Sequence, residues 1–225
     1  MKTADKKIIG FAWWQELLIW IPLTIPFLAY LLWQADLPSE VASHYGLNGK
    51  PDRTMKPFEF MLIMTVIGLF TSSVLYIAPR IDPKKNNYPH FKGLYFTVRI
   101  FVNVLMAGIV VMSYLEAMGN AIPIPRIISA AVMLLFLILG NHLGKVRNNY
   151  FVGIRTPWTL QNEEVWRRTH RLAAKLLSGS AAISIILSFF VTEPFLMVLI
   201  LGTVLIGLIF PTVYSYFVYR SLKSE

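Results

Sequence analysis

The chain has 225 residues, of which 56% are apolar or aromatic and only 15% charged, with a mean hydropathy of +0.56. A water-soluble domain of this size needs more charge to cover its surface, which argues against a freely soluble protein; the absence of cysteine excludes disulfides, thiolate metal sites and cysteine nucleophiles. The 21 Lys and Arg against 12 Asp and Glu give a formal charge of +9. In a membrane protein that excess marks the cytoplasmic face rather than a nucleic-acid groove, so no direct nucleic-acid partner is expected.

A hydrocarbon core of roughly 30 Å needs about 20 helical residues to cross it. Apolar runs of suitable length are Leu17 to Trp33, Phe58 to Ala78, Leu94 to Met118, Ile127 to Leu143, Leu172 to Val191 and Phe195 to Val218. Lipid offers no partner for backbone amides, so these runs must be helices. The predicted fold is an all-α integral membrane bundle of six transmembrane helices, one polytopic domain over residues 1–225, with the lipid bilayer as its first partner. The first run has a charged and aromatic lead-in and no small-x-small cleavage pattern after it, so it reads as a retained anchor rather than a signal peptide. Pro22 and Pro26 interrupt it, and Thr24 is placed to bond a carbonyl that they free.

Residues 34–57 form the first polar connection. Asn48-Gly49 and Pro51-Asp52 are turn dipeptides, so the segment should fold back on itself. His44, Glu40 and Asp52 supply side-chain types of a metal or acid/base site. With no second His nearby and no His-Glu-x-x-His, neither a metal nor a cofactor is expected; the default pairs Asp52 with Arg53 or Lys56 and packs His44 under the turn. Farther along, Arg99 and Glu116 fall within the third run, 17 residues apart and thus about 25 Å along a helix. They cannot pair with each other; Arg99 is expected to snorkel to one membrane edge and Glu116 to sit near the other. The pair Gly140 and Gly144, and the small residues Gly179, Ala182, Gly202 and Gly207, are expected to be helix-packing surfaces.

The richest polar segment is residues 140–175. Asn162 followed by Glu163 and Glu164 predicts a helix start well before the fifth apolar run. Val165, Trp166, Thr169, Leu172 and Leu176 trace one face of that helix, with Arg167, Arg168 and Arg171 elsewhere around it. Lys145, Arg147, Arg155, Arg167, Arg168 and Arg171, interleaved with Tyr150, Trp158 and Trp166, suit anchoring at a cytoplasmic surface, lipid phosphates or an acidic protein surface. The string Arg155-Thr156-Pro157-Trp158-Thr159 is denser than topology requires and suggests a binding surface or a rigid plug between helices. Alternate polar segments hold 16 and 4 Lys and Arg, so both termini are expected in the cytoplasm. Catalysis finds no Gly-x-Ser-x-Gly, no phosphate-binding glycine loop and no base beside Ser178 or Ser180, so no enzyme is expected.

The string Gly140-Asn141, Gly144-Lys145, Arg147, Asn149-Tyr150, Gly153-Ile154-Arg155-Thr156-Pro157-Trp158-Thr159, Val165-Trp166 and Thr169-His170-Arg171 resembles the signature of SdpI-family membrane proteins. The segment Leu37-Pro38, His44, Gly49 and Pro51-Asp52 resembles a membrane domain of unknown function found in the same family. The likeness runs from about Trp14 to Phe190, with Ala174 standing where a glycine is expected. It implies a bacterial plasma-membrane immunity protein and receptor that meets a secreted peptide toxin at its outer face and holds a cytoplasmic repressor protein at its inner one. His44, Gly49 and Asp52 are then expected to shape the outer surface. Arg147, Asn149, Tyr150, Arg155, Thr156, Trp158, Trp166 and His170 are expected to form the inner one. The alternatives are a transport or lipid-handling protein whose inner arginines bind phosphate headgroups, and an enzyme with His44 and Asp52 in its site.

Overall fold

The computed structural model describes residues 10–223. Lys2, Lys6 and Lys7, which weigh in the expected cytoplasmic placement of the termini, lie outside the described residues, as do both chain ends. The prolines of the first apolar run divide it into α1 (Trp13–Trp20), a 3-10 turn (Ile21–Thr24) and α2 (Ile25–Trp33). The Thr24 hydroxyl donates to the Ile21 carbonyl at 2.8 Å, as expected for a side chain that repairs a proline break. The Ile19 carbonyl is taken by Asn103 Nδ2 at 2.6 Å, and Asn103 Oδ1 accepts from the Ser72 hydroxyl at 2.7 Å. The kink is therefore fastened to two later helices, α3 (Pro57–Ile81) and α4 (Lys92–Ala117).

The remaining elements are the strands β1 (Val41–Tyr45) and β2 (Pro51–Met55), a 3-10 helix (Lys85–Phe91), α5 (Ile124–Leu143), α6 (Pro157–Gln161), α7 (Glu163–Leu187) and α8 (Glu193–Val204), which runs through a π turn (Leu205–Ile209) into α9 (Phe210–Lys223). The chain is predominantly helical, and the polar connection after α2 pairs β1 and β2 as an antiparallel hairpin. Among the described residues, five stretches are long and apolar enough to cross a membrane: Trp13–Trp33, Pro57–Ile81, Lys85–Ala117, Ile124–Leu143 and Glu193–Lys223. The fifth expected span is absorbed into α7, whose first turns carry Glu163, Glu164, Arg167, Arg168 and Arg171 and whose second half is diluted by Ser178, Gly179, Ser180 and Ser184. Large apolar side chains such as Leu32, Phe70 and Phe190 point outward, the arrangement that lipid rather than water rewards. This is a multi-pass membrane protein.

Arg99 does not snorkel. It is 1% exposed, and its guanidinium donates to both carboxylate oxygens of Glu16 at 3.1 and 2.9 Å, with the rings of Phe11, Trp20 and Tyr76 around it. A countercharge within reach removes the reason to seek the membrane edge. Deleting one partner of such a buried pair typically costs about 3–5 kcal/mol.

Helices α5 and α7 make the tightest pairing: a Cβ on Gly140 would lie 2.6 Å from the Ser178 backbone nitrogen, so only glycine fits there. Ala174, in the place where a glycine was expected, puts its methyl 3.5 Å from where a Gly144 Cβ would be, an ordinary contact. Gly207 similarly abuts Leu177, whereas Gly179 and Gly202 face open space and do not form the packing surface expected of them. The loops sort to two ends. One end carries the hairpin, residues 118–123 and residues 188–192; the other carries residues 82–91, residues 144–162 and the end of α9. Each end has its own apolar core. Val41, Phe60, Val110 and Tyr114 pack beneath the hairpin, and Tyr88, Phe91, Leu143, Val146 and Trp166 pack at the opposite end.

Candidate functional site

Residues 34–57 fold back as predicted, but through strands. Gly46 donates to the Lys50 carbonyl at 2.9 Å, the Asn48 side chain accepts from Lys50 N at 3.0 Å, and Gly49 sits at φ +74°, where glycine is favoured. Pro51-Asp52 starts β2 instead of forming a second turn. The hairpin is moored to α4 by Ser113, whose hydroxyl donates to the Ala42 carbonyl at 2.7 Å, and by Tyr45, whose hydroxyl donates to Glu116. Burial and the Glu116 carboxylate push the Tyr45 phenol up from its ordinary pKa, so it remains a donor.

His44 Nδ1 lies 2.6 Å from Asp52 Oδ1 across the hairpin, and both side chains are about half exposed. This replaces the expected pairing of Asp52 with Arg53 or Lys56, and His44 stands on the surface instead of under the turn. Glu40 is drawn to the Thr54 hydroxyl, so Glu40, His44 and Asp52 do not converge; among the described residues no His, Asp and Glu cluster could hold a metal. Beneath the hairpin lies a mainly apolar cavity of about 350 Å³, walled by β1, Phe60, Met64, Ile109, Leu196 and Met197. Gly49 closes its rim against Glu193, which pairs with Arg126 at 3.2 Å.

At the other end, Asn162 caps α7 as predicted: its side-chain oxygen accepts from Glu164 N at 2.9 Å and Val165 N at 3.1 Å. The buried face of α7 then follows Trp166, His170, Ala173 and Leu177 rather than Leu172 and Leu176. Residues 144–156 have no regular structure, so side chains must satisfy their buried backbone groups. Asn149, fully buried, accepts from Phe151 N and Val152 N and donates to the Arg147 and Val152 carbonyls. Thr156 caps α6 by accepting from Thr159 N at 3.2 Å. Trp166 donates to the Val146 carbonyl at 2.8 Å and stacks on His170 at 3.9 Å. His170, 1% exposed, accepts at Nε2 from Ile154 N at 3.0 Å, while its Nδ1 faces the Trp166 carbonyl at 2.8 Å. That pattern requires the neutral Nδ1-H tautomer, and burial pulls the imidazole pKa down to about 4.

The eight residues expected to form the inner surface are thus brought together unequally. Asn149, Thr156, Trp166 and His170 are turned inward and knit the loop. Trp158 is wedged against α9, donating to Ser215 at 2.7 Å beside the rings of Tyr216 and Tyr219. Arg147, Tyr150 and Arg155 are exposed; Arg155 donates to the Tyr150 carbonyl at 2.6 Å and stands apart from the cavity that Lys145, Arg147, Arg167 and Arg171 line. Ser178 and Ser180 donate to their own helix at Ala174 and Leu176, both at 2.6 Å. The sequence reading missed Asp82. This carboxylate is 1% exposed and accepts from Tyr88 at 2.7 Å, Lys84 N at 2.6 Å and Tyr150 N at 2.8 Å, tying residues 82–91 to the 144–156 loop. Its signal was available: it is the one acidic residue between Glu59 and Glu116, set in a basic segment.

Residues 145–215 match the model of the SdpI/YfhL protein family, and residues 18–69 match a domain of unknown function, DUF1648. The Immunity protein SdpI of Bacillus subtilis (strain 168) is 28% identical over 205 residues, which covers 91% of this chain and 96% of that protein. No solved structure matches the chain. The two matched segments carry the hairpin end and the knitted loop, and the likeness to the Bacillus immunity protein extends across both and the helices between them.

Proposed function

We propose that this chain is an immunity protein of a bacterial plasma membrane, protecting the cell against a secreted peptide toxin and acting as its receptor. The observation that carries the reading is the near full-length likeness to an immunity protein, spanning both loop ends rather than a single shared helix. The excess of Lys and Arg at the end bearing residues 82–91 and 144–175 supports placing that end, and both termini, in the cytoplasm, with α7 as a sixth crossing. The hairpin then faces outward. Its exposed His44 and Asp52 above an apolar cavity suit a peptide that presents both polar and apolar groups. At the inner end, exposed Arg147, Tyr150 and Arg155, held by the buried framework of Asn149, Thr156, Trp158, Trp166 and His170, form the surface that would hold a cytoplasmic repressor.

The test is survival of B. subtilis deleted for its own immunity protein, expressing this chain and grown beside its toxin-producing parent. Wild-type chain is expected to rescue, and Asp52→Ala and Arg155→Ala, at matched membrane levels, to separate outer protection from inner signalling. Absence of rescue by well-expressed wild type overturns immunity against that toxin.

A further inference from the structure

The cavity at the basic end, about 970 Å³, lies between residues 144–148, just past the end of α5, the first turns of α7, and Asn87 and His90 of the 3-10 helix. Its charged lining is Lys145, Arg147, Arg167 and Arg171 against Glu163 and Glu164, with His90 at one side. These charges do not cancel locally. Glu164 is committed to Arg167 and Arg168, its oxygens 2.6 to 2.8 Å from their guanidinium nitrogens, and those two hydrogen-bonded partners hold its carboxyl down at about 2. Among the described residues, the side chains of Lys145, Arg147 and Arg171 have no ion-pair or hydrogen-bond partner, although all three are exposed to one concave space. Plain topological anchoring needs cations on the surface. It does not need them converging on a cavity of the size that ligands occupy, with the indole of Trp166 forming part of its wall.

We propose that this cavity binds a phosphate-bearing anion through Lys145, Arg147 and Arg171. The guanidinium forks supply paired donors for phosphate oxygens and Lys145 supplies a point charge; Arg167 stays with Glu164 and sets one wall. Two sources offer this chemistry: the headgroup of an anionic lipid, since the cavity adjoins the end of a membrane-crossing helix, and a free phosphate compound from solution. The inference does not depend on the immunity reading, and its readout needs no toxin.

The experiment is calorimetric titration of the full chain, purified in an uncharged detergent, with dihexanoyl phosphatidylglycerol, dihexanoyl phosphatidylcholine and inorganic phosphate. Phosphatidylglycerol is expected to bind, and the Arg147→Ala/Arg171→Ala variant to weaken it at least about tenfold, the loss of charge-assisted hydrogen bonds. Arg53→Ala/Lys56→Ala, which removes the same charge from the hairpin end, is expected to leave binding unchanged. Inorganic phosphate binding as tightly as phosphatidylglycerol identifies a soluble ligand; phosphatidylglycerol binding alone identifies a lipid. Both arginines are exposed, so the variant should keep the wild-type elution profile and unfolding temperature, and Arg147→Lys/Arg171→Lys should restore part of the affinity. The proposal is overturned if none of these ligands binds, if phosphatidylcholine binds as tightly as phosphatidylglycerol, or if the double alanine variant binds like wild type.

Discussion

The hairpin and the basic loop are both polar connections in a predominantly apolar bundle, yet they are ordered by opposite means. In the hairpin the backbone satisfies itself by strand pairing, and side chains such as His44 and Asp52 are left facing solvent. In residues 144–156 the backbone has no ladder, so Asn149, Thr159, Trp166 and His170 are spent inward on its amides and carbonyls. The difference teaches that a dense polar motif is no direct index of a binding surface. Where regular structure is absent, architecture alone demands specific polar residues.

Glycine substitutions sharpen the contrast most. Gly153→Ala would set a Cβ 2.3 Å from His170 Nε2 at φ +111°, against a ring that is buried and stacked and has nowhere to go. We expect a loss of about 3 kcal/mol, read as a large fall in thermal unfolding temperature in detergent, because overpacking adds to backbone strain. Gly49→Ala would set a Cβ 2.5 Å from Glu193 Cγ and 2.9 Å from its Cβ; the Cγ can rotate aside but the Cβ cannot, so the exposed hairpin turn must itself shift by a few tenths of an ångström, and φ +74° is within reach of a non-glycine residue. About 1 kcal/mol is expected there. Equal losses at the two sites would erase the distinction between a rigid 144–156 scaffold and an adaptable hairpin.

Acid should distinguish the ends next. His170 has a folded pKa of about 4 against an unfolded value near 6.5, so below pH 6.5 the unfolded chain takes up a proton that the folded chain refuses. Its neutral form therefore supports folding fully above pH 6.5, and that support drains away between 6.5 and 4, reaching up to about 3 kcal/mol. The midpoint of thermal unfolding should decline across this window and flatten in His170→Asn. A flat wild-type profile from pH 6.5 to 4 would mean that the ring is not held neutral.

Local signals in the sequence served well and distant ones did not. The Asn162 cap, the Asn48-Gly49 turn and the repair of the proline break by Thr24 each depend on residues within a few positions of one another. Those short-range geometries are written in the string itself. Arg99 with Glu16, and Asp82 with Tyr150, join residues 83 and 68 positions apart, and nothing local announces the partner. The charge-rich start of α7 was legible, but how far it carries the helix from lipid toward water depends on α5 and the 144–156 loop packed against it. At the candidate site, residue types were legible and their directions were not: the sequence placed His170 and Arg155 on one surface, whereas folding buries the first and exposes the second.

The smallest effect on stability is expected at His44 and Asp52, where it is most telling for function. Their contact is close, 2.6 Å, but both side chains are about half exposed, and exposed ion pairs contribute at most about 1 kcal/mol. Asp52→Ala and His44→Ala should therefore leave the unfolding temperature within a few degrees of wild type, and the double variant should show a coupling below about 1 kcal/mol. If either substitution abolishes protection against the toxin while the protein remains folded at normal levels, the pair acts in recognition. Should protection persist in the double variant, the proposed toxin contact would move from the polar pair to the apolar cavity beneath the hairpin, and Met197→Ala or Met64→Ala would become the variants that must fail.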